Sequence, residues 1–350
     1  MNQLINYLML QSPLIISAIA KVPLRLAVVA TQSAGKSTLI NALMGTSLLA
    51  TKNQACTLKC LRIANRQIDS WQLSVTDEQG VVQSMLATPE LLMELNHRAD
   101  STDAHLQGRF AGLADCIDLL EIIDTPGPNS ANDALRSQVA LAFSQVLANA
   151  QVLYVLNATQ LGVNDDAALL GVLKTQDVNP VFVLNQVDCL DDERDSLHDV
   201  MSNAVSYLTE LGFNDPLIVP LSARAAQLAR KASHELTRHE RNALKSFTDA
   251  FAHRPGYLVE HARVPKLVYD SLCREIQQLE HLQPLPMNET SKSDAAALCL
   301  ASGVRTLETL ILHMTQALNG LSLGGADDSC AVPASPSISE PPTDANRAES

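Results

Sequence analysis

Residues 24–45 read LRLAVVATQSAGKSTLINALMG: an apolar run, a short polar loop and a helical stretch follow one another without a break. A phosphate-binding loop belongs in that setting, between a buried strand and the N-terminus of a helix. The helix is expected to begin near Lys36. Its first-turn N–H groups and partial positive charge suit an anion, as do the inward-pointing amides of the loop, so Ser33, Ala34, Gly35, Lys36, Ser37 and Thr38 are the candidate phosphate contacts. Lys36 adds a full charge for β- and γ-phosphates, and Ser37 a hydroxyl for Mg²⁺. The usual pattern GxxxxGK(S/T) opens on glycine, where this chain has Ala30. The plain alternative is a chance AGKST helix start, which the preceding strand disfavours.

Working outward, IDLLEIID (117–124), QVLYVLN (151–157), PVFVLN (180–185) and PLIVP (216–220) are near-continuous apolar runs, as in strands buried on both faces. With amphipathic stretches between them they predict an α/β fold, a mostly parallel sheet with helices on both faces. LKCLRIAN and WQLSVTD predict flanking strands, and Pro89 the start of a helix. After Ser222 the chain reads as helical, first through AAQLARKASHELTRHERNALKSFTDAFA, then PKLVYDSLCREIQQLEHL. A last helix, with Ser302 as its N-cap and Asn319-Gly320 as its stop, is expected to pack on the sheet through Val304, Leu307, Leu310, Ile311, Met314 and Leu318.

Three segments at strand ends extend the reading of the first loop. Asp124-Thr125-Pro126-Gly127 places a carboxylate to hold an Mg²⁺-bound water, and the Gly127 N–H where no side chain blocks the γ-phosphate. Asn185-Gln186-Val187-Asp188 offers the Asp188 carboxylate to the N1–H and N2–H₂ of guanine, donors that adenine does not present together. Ser222-Ala223-Arg224 offers a backbone N–H to the guanine O6. Each alone reads equally well as a turn after a strand. Together, in this order, they describe a guanine-nucleotide site, because ligands of such sheets bind beyond the carboxyl ends of the strands.

Composition bounds the rest. A formal charge of −13 over 350 residues argues against a polyanion ligand, so no direct nucleic-acid partner is expected. The apolar start, residues 1–21, is interrupted by Asn6, Gln11, Ser12 and Pro13, which argues against a membrane anchor. Seven cysteines without a C-x-x-C pair suggest buried thiols and a cytoplasmic setting. Residues 321–350 are rich in Ser, Pro and Ala, carry a net −4 and are expected to be a disordered tail. The main domain is therefore placed at 22–320.

Over about residues 22–320 the chain resembles the dynamin-like large GTPases, and among them the bacterial clamp-binding, CrfC-type group. QSAGKST is similar to the dynamin form of the phosphate loop, and DTPGPN and LARKASHEL to segments of the bacterial group. The resemblance implies a P-loop GTPase domain that hydrolyses GTP to GDP and phosphate with Mg²⁺, and is stimulated when two G domains pair. It implies that Gln32 orients water and that Ser33 helps hold a monovalent cation, K⁺, in place of an arginine finger. ATKNQACTLKC resembles the first switch region, with Thr57 as the Mg²⁺-ligating threonine and Thr51 as the competing choice. The chain departs from the family at Gln186, where a lysine usually covers the base, and at Ala30 and Thr31, which replace glycines. No stalk or lipid-contacting tip is recognised, so a stalk-bearing partner and no direct membrane insertion are expected. Gln11-Ser12-Pro13-Leu14-Ile15-Ile16 loosely resembles a clamp-docking peptide.

Other patterns are set aside. HELTRH, from His234, differs from a zinc-protease motif by one residue between its histidines. Cys56 and Cys60 flank the switch region but read as core thiols. The competing functional classes are a GTP-binding switch or scaffold with little hydrolysis, acting with a partner chain, and an Era-like ribosome-associated GTPase. The latter would carry a basic RNA-binding module, and here the C-terminal part is helical and then acidic.

Overall fold

A computed structural model describes residues 21–51, 60–77, 79–97, 101–126, 146, 149–191, 195–252, 255–280 and 292–320. Thr57, expected as the switch threonine, Cys56, Gly127, the clamp-like peptide, residues 1–20 and the acidic tail lie outside these residues. In chain order, β1 (Leu24–Ala30) leads into α1 (Lys36–Met44), followed by β2 (Leu61–Asn65), β3 (Gln72–Asp77), β4 (Val82–Leu86), α2 (Pro89–His97), β5 (Ser101–Gly108) and β6 (Leu120–Asp124). Next come β7 (Gln151–Asn157), α3 (Asn164–Thr175), β8 (Val181–Asn185), α4 (Leu197–Glu210), β9 (Ile218–Leu221) and α5 (Ala223–Arg230). The helical end comprises α6 (Arg238–Ala252), α7 (Tyr257–His261), α8 (Lys266–Glu280), α9 (Lys292–Ala301) and α10 (Val304–Leu318).

The strands form one sheet in the order β4-β3-β5-β2-β6-β1-β7-β8-β9. β6, β1, β7, β8 and β9 are mutually parallel, whereas β2 runs antiparallel to β6. β1 has no polar face. Leu24, Leu26, Val28 and Ala30 enter one core with α1, α5, α8 and α10, while Val29 enters a second with α3 and α4. Both faces of the central sheet are thus covered, as parallel strands require. β6 and β7 flank β1 on opposite sides, so the chain order reverses across β1 and opens a crevice at the carboxyl ends.

The α/β architecture predicted from the apolar runs is the one observed. β4 and β5 are additions that a search for continuous apolar runs misses. β5, STDAHLQG, buries Ala104, Leu106 and Gly108 between half-buried polar side chains, and β4 lies at the sheet edge with Val82 and Leu86 exposed. The last helix packs against β1 and α1 as expected, but Leu318 stays exposed instead of packing, and the N-cap is Gly303, not Ser302. Gly303 has φ 80°, and a Cβ there would stand 2.3 Å from the Pro220 carbonyl oxygen, so this turn needs glycine. Asn319 ends α10 and exchanges two hydrogen bonds with Val22, tying the end of the helical region to the entrance of β1.

The stretch after Ser222 is two helices, not one. Helix α5 ends at Arg230, and Thr237 then starts α6 through a reciprocal cap. The Thr237 hydroxyl accepts from the Glu240 N–H at 3.2 Å, and the Glu240 carboxylate accepts from the Thr237 N–H at 2.9 Å. His234 and His239 therefore fall on either side of a helix start, both exposed. The Thr237 N–H, aided by Lys231, holds the Glu240 carboxyl down at about 2 against an ordinary 4.5. A folded value below the unfolded one stabilises above about pH 4.5 and ceases to do so as pH falls toward 2. Thr237→Ala and Glu240→Ala should each cost about 1 kcal/mol in urea unfolding at neutral pH. The Glu240→Gln deficit should shrink across that acidic window.

Candidate functional site

At the end of β1 the chain turns through Thr31, Gln32, Ser33, Ala34 and Gly35 into α1. Gly35, at φ 89°, caps that helix without any side-chain partner, leaving its first-turn N–H groups facing the crevice. Ser33 is also left-handed, at φ 67°. Opposite the loop, β6 ends on Asp124, which is buried and forms an ion pair with Lys36. Each charge lies in the low-dielectric interior with the other as its compensation. Thr125, the next residue, donates its hydroxyl to the Val28 carbonyl at 2.7 Å and so fixes the β6 end against β1.

The base-side segment is tied directly to the phosphate loop. Asn185, the last residue of β8 and 2% exposed, donates its amide to the Ala34 carbonyl at 2.8 Å. Its side-chain oxygen accepts from the Ala223 N–H at 3.0 Å, and its backbone carbonyl accepts from the Ala158 N–H at 2.8 Å. One asparagine therefore joins the loops after β1, β7, β8 and β9. A Cβ on Gly35 would come within 2.3 Å of the Asn185 amide nitrogen, which gives that glycine a second reason besides its φ.

Gln186, in the left-handed region at φ 66°, donates its amide to the Ser33 carbonyl at 2.7 Å. The residue that departs from the family pattern thus holds the phosphate loop. Asp188 sits in the short helical turn Val187–Cys189; its Oδ1 is buried with no hydrogen-bond partner among the described residues, and its Oδ2 accepts from the Cys189 thiol at 3.6 Å. A buried acceptor without a donor is costly unless a ligand supplies one. The Ser222 N–H bonds the Ser302 carbonyl and the Ala223 N–H bonds Asn185, so within Ser222-Ala223-Arg224 the Arg224 amide is the one left for a ligand. The Arg224 side chain turns to Gln227 and Glu240 instead.

The structure therefore brings together Gln32, Ser33, Ala34, Gly35, Lys36, Ser37 and Thr38 with Asp124, Asn185 and Asp188 at one edge of the sheet. Sequence reasoning overlooked Asn41, whose amide exchanges hydrogen bonds of 2.8 and 2.9 Å with the backbone of Leu49 and pins the chain just before Thr51, an exposed residue. It also overlooked Arg230, which donates to the Ala42 carbonyl in the last turn of α1 and pairs with the fully buried Glu308 of α10 at 2.6 Å. Arg305, also on α10, bonds the half-buried Glu275 of α8 at 3.0 Å and the Gly112 carbonyl at 3.2 Å. Of the thiols, Cys116 and Cys299 are buried as expected, but Cys189 is exposed. Partial desolvation, then the Asp188 carboxylate, pushes the Cys189 thiol upward, and burial does the same for the half-buried Cys60.

A glycine-capped helix, an invading lysine, and carboxylate and amide groups at the ends of neighbouring parallel strands define a P-loop nucleotide-binding domain of the G-domain type. Residues 26–187 match the model of the dynamin family, a domain that implies binding of GTP. No curated protein sequence matches the chain. Two solved structures of an oligomerised bacterial dynamin pair, described as a mechanism for long-range sensing and tethering of membranes, are similar. One has 15% identity and a TM-score of 0.47, covering 76% of this chain and 44% of its own; the other has 14% and 0.46, covering 79% and 46%. The chain thus spans less than half the length of either.

If Asn185 joins the loops, Asn185→Ala should lower the melting temperature and weaken guanine-nucleotide affinity at least about tenfold, since it orphans a buried carbonyl and a buried N–H at about 1–3 kcal/mol each. Calorimetric titration with GDP checks the affinity, and unchanged binding would refute the joining role.

Proposed function

We propose that this chain binds GTP with Mg²⁺ and hydrolyses it to GDP and phosphate, and that turnover rises when two G domains pair. The observation that carries this reading is the buried Asp188 Oδ1, without a hydrogen-bond partner among the described residues, on the same loop that grips the phosphate loop through Asn185 and Gln186. An orphaned acceptor there fits the paired donors of guanine and offers nothing to adenine's N1 acceptor.

The donor set near the loop also fits Mg²⁺. Ser37 supplies a hydroxyl and Asp124 a carboxylate, hard oxygen ligands of the kind this ion takes together with phosphate and water. Mg²⁺ supplies charge neutralisation at the β- and γ-phosphates. Before the nucleotide arrives, Lys36 and Asp124 compensate each other. On binding, Lys36 exchanges its carboxylate for the phosphates and Asp124 becomes available to hold an ion-bound water. Neither charge is stranded in either state. Gln32, exposed at the tip of the loop, orients the attacking water, and Ser33 contributes to a K⁺ site completed across the pair. Thr57 is the proposed switch threonine and Gly127 the γ-phosphate contact. A reducing cytoplasm suits the free thiols among the described residues, and the acidic balance of the chain disfavours adsorption to anionic lipid.

The test is hydrolysis of GTP and ATP across protein concentrations, in K⁺ and in Na⁺, with oligomeric state measured in each nucleotide state. Specific activity should climb with concentration and with K⁺. GTP binding without turnover would favour the switch or scaffold reading, and a preference for ATP would overturn the base assignment.

Two variants separate the parts of the site. Lys36→Ala should lose measurable GTP binding while staying folded by circular dichroism. Asp188→Asn should move the preference toward xanthine nucleotides, because an amide donates where the guanine N1–H needs an acceptor.

A further inference from the structure

The hydrogen bonds of Asn185 among the described residues serve the loops after β1, β7, β8 and β9, and none of them reaches the chain that leaves α1. That chain, residues 45–51, has fastenings of its own. Asn41 accepts from the Leu49 N–H and donates its amide to the Leu49 carbonyl, and the Asn41 carbonyl accepts from the Gly45 and Thr46 N–H groups. These contacts all lie within one short stretch of sequence. One more comes from 180 residues away, where the Gln227 amide donates to the Ser47 hydroxyl at 3.1 Å.

Gln227 lies in α5 and is 5% exposed. Both ends of its amide are engaged. The Arg224 guanidinium donates to its Oε1 at 3.1 Å, and because an arginine only donates, that contact turns the NH₂ end toward Ser47. Arg224 is in turn paired with Glu240 at 3.7 Å, and Glu240 with Lys231 at 3.1 Å. A line of polar contacts therefore runs from the cap of α6, through the turn that offers its Arg224 N–H to guanine, to the chain after α1. Burying an amide is costly unless its ends are matched, and an apolar side chain would fill the same space without that demand. Arg230, one turn further along α5, already fastens that helix to the Ala42 carbonyl of α1. Holding the two helices together thus does not require Gln227, whose distinctive contact is with the chain beyond α1.

We propose that Gln227 is a positioning residue that fixes the chain leading to the switch threonine against the turn that reads guanine. Beyond Leu49 the sequence runs on to Thr57, the proposed switch threonine. Its point of departure is set relative to α1 by Asn41, and relative to Arg224 by Gln227. On the GTP-hydrolysis reading, on which this rests, GDP touches the phosphate loop and the base-reading turns, and Asn185 and Gln186 hold those without help from Gln227. The switch threonine serves the Mg²⁺ ion and the attacking water. Loss of the Gln227 contact should therefore be felt in turnover and hardly in GDP affinity, as expected of a group that aligns reacting parts.

The experiment compares the full chain with its Gln227→Met, Ser47→Ala and Ser47→Thr variants and with the double variant Gln227→Met, Ser47→Ala. Methionine keeps the length of glutamine without its amide, and threonine keeps the hydroxyl that alanine removes. Gln227→Met and Ser47→Ala should each lower kcat for GTP about fivefold with GDP affinity changed less than about twofold, while Ser47→Thr stays within about twofold of wild type. The double variant should be no slower than Gln227→Met, because the contact that Ser47→Ala removes is already gone. Without nucleotide, amide hydrogen exchange in peptides covering residues 45–51 should be faster in Gln227→Met and Ser47→Ala than in wild type and Ser47→Thr.

Wild-type kcat in Ser47→Ala, a fall in GDP affinity as large as the fall in kcat, or additive losses in the double variant would overturn the proposal. If Gln227→Met fails to fold, the alanine and threonine variants of Ser47 decide it alone. A wild type that binds GTP without hydrolysing it would refute the proposed function and leave the exchange measurement as the judge. Equal exchange in wild type and Ser47→Ala then overturns the positioning role, and faster exchange in Ser47→Ala that Ser47→Thr does not share supports it.

Discussion

The side chain of Asn185 is the constraint on which the site depends. A parallel sheet delivers its loops to one edge, but nothing in a sheet fixes the loops relative to one another. Asn185 does so by satisfying one carbonyl and one N–H from different loops with a single planar amide. The geometry is demanding on both sides. The amide must lie close to the phosphate loop, which excludes any side chain at Gly35, and the loop must turn through positive φ, which the same glycine permits.

Buried charge has a related role at two depths. Lys36 and Asp124 compensate each other at the mouth of the crevice, where a nucleotide can take over one partner. Arg230 and Glu308 compensate each other behind α1, where no ligand reaches, and there the arginine also occupies a carbonyl at the end of that helix. The Arg230 guanidinium keeps its charge more firmly than usual, because the Glu308 carboxylate offsets the penalty of burial. Gly112 makes this possible: a Cβ there would stand 2.1 Å from the Glu308 carboxylate oxygens. The α1 helix is thus held at its C-terminal end by structure and left open at its N-terminal end for an anion.

The parts of the fold legible from the chain were those with one-dimensional signatures. Strands buried on both faces have no polar register, so β1, β6, β7, β8 and β9 stand out as apolar runs, and the strand-loop-helix order around Gly35 is local by nature. Half-buried β5 and edge strand β4 carry too few apolar residues to announce themselves. Likewise, Ser302 looks like a helix cap in one dimension. Its hydroxyl instead serves the preceding helix, bonding Cys299, because the tight approach of Gly303 to Pro220 starts the helix a residue later.

The sequence by itself determined the class of chemistry: which residues carry charge, hydroxyl and amide groups at the ends of successive strands. Only the tertiary structure decided how they engage, because each decisive contact spans a long stretch of chain. Asn185 and Ala34 lie 151 residues apart, and Lys36 and Asp124 lie 88 apart. Gln186 shows the difference best. Along the chain it is a lysine position filled by a residue too short and uncharged to do the lysine's work. In the folded protein, both Gln186 and Ser33 turn through the left-handed region, and that bend brings its amide onto the phosphate loop. Local pattern records what a residue can donate or accept, and only packing records which distant group is there to meet it.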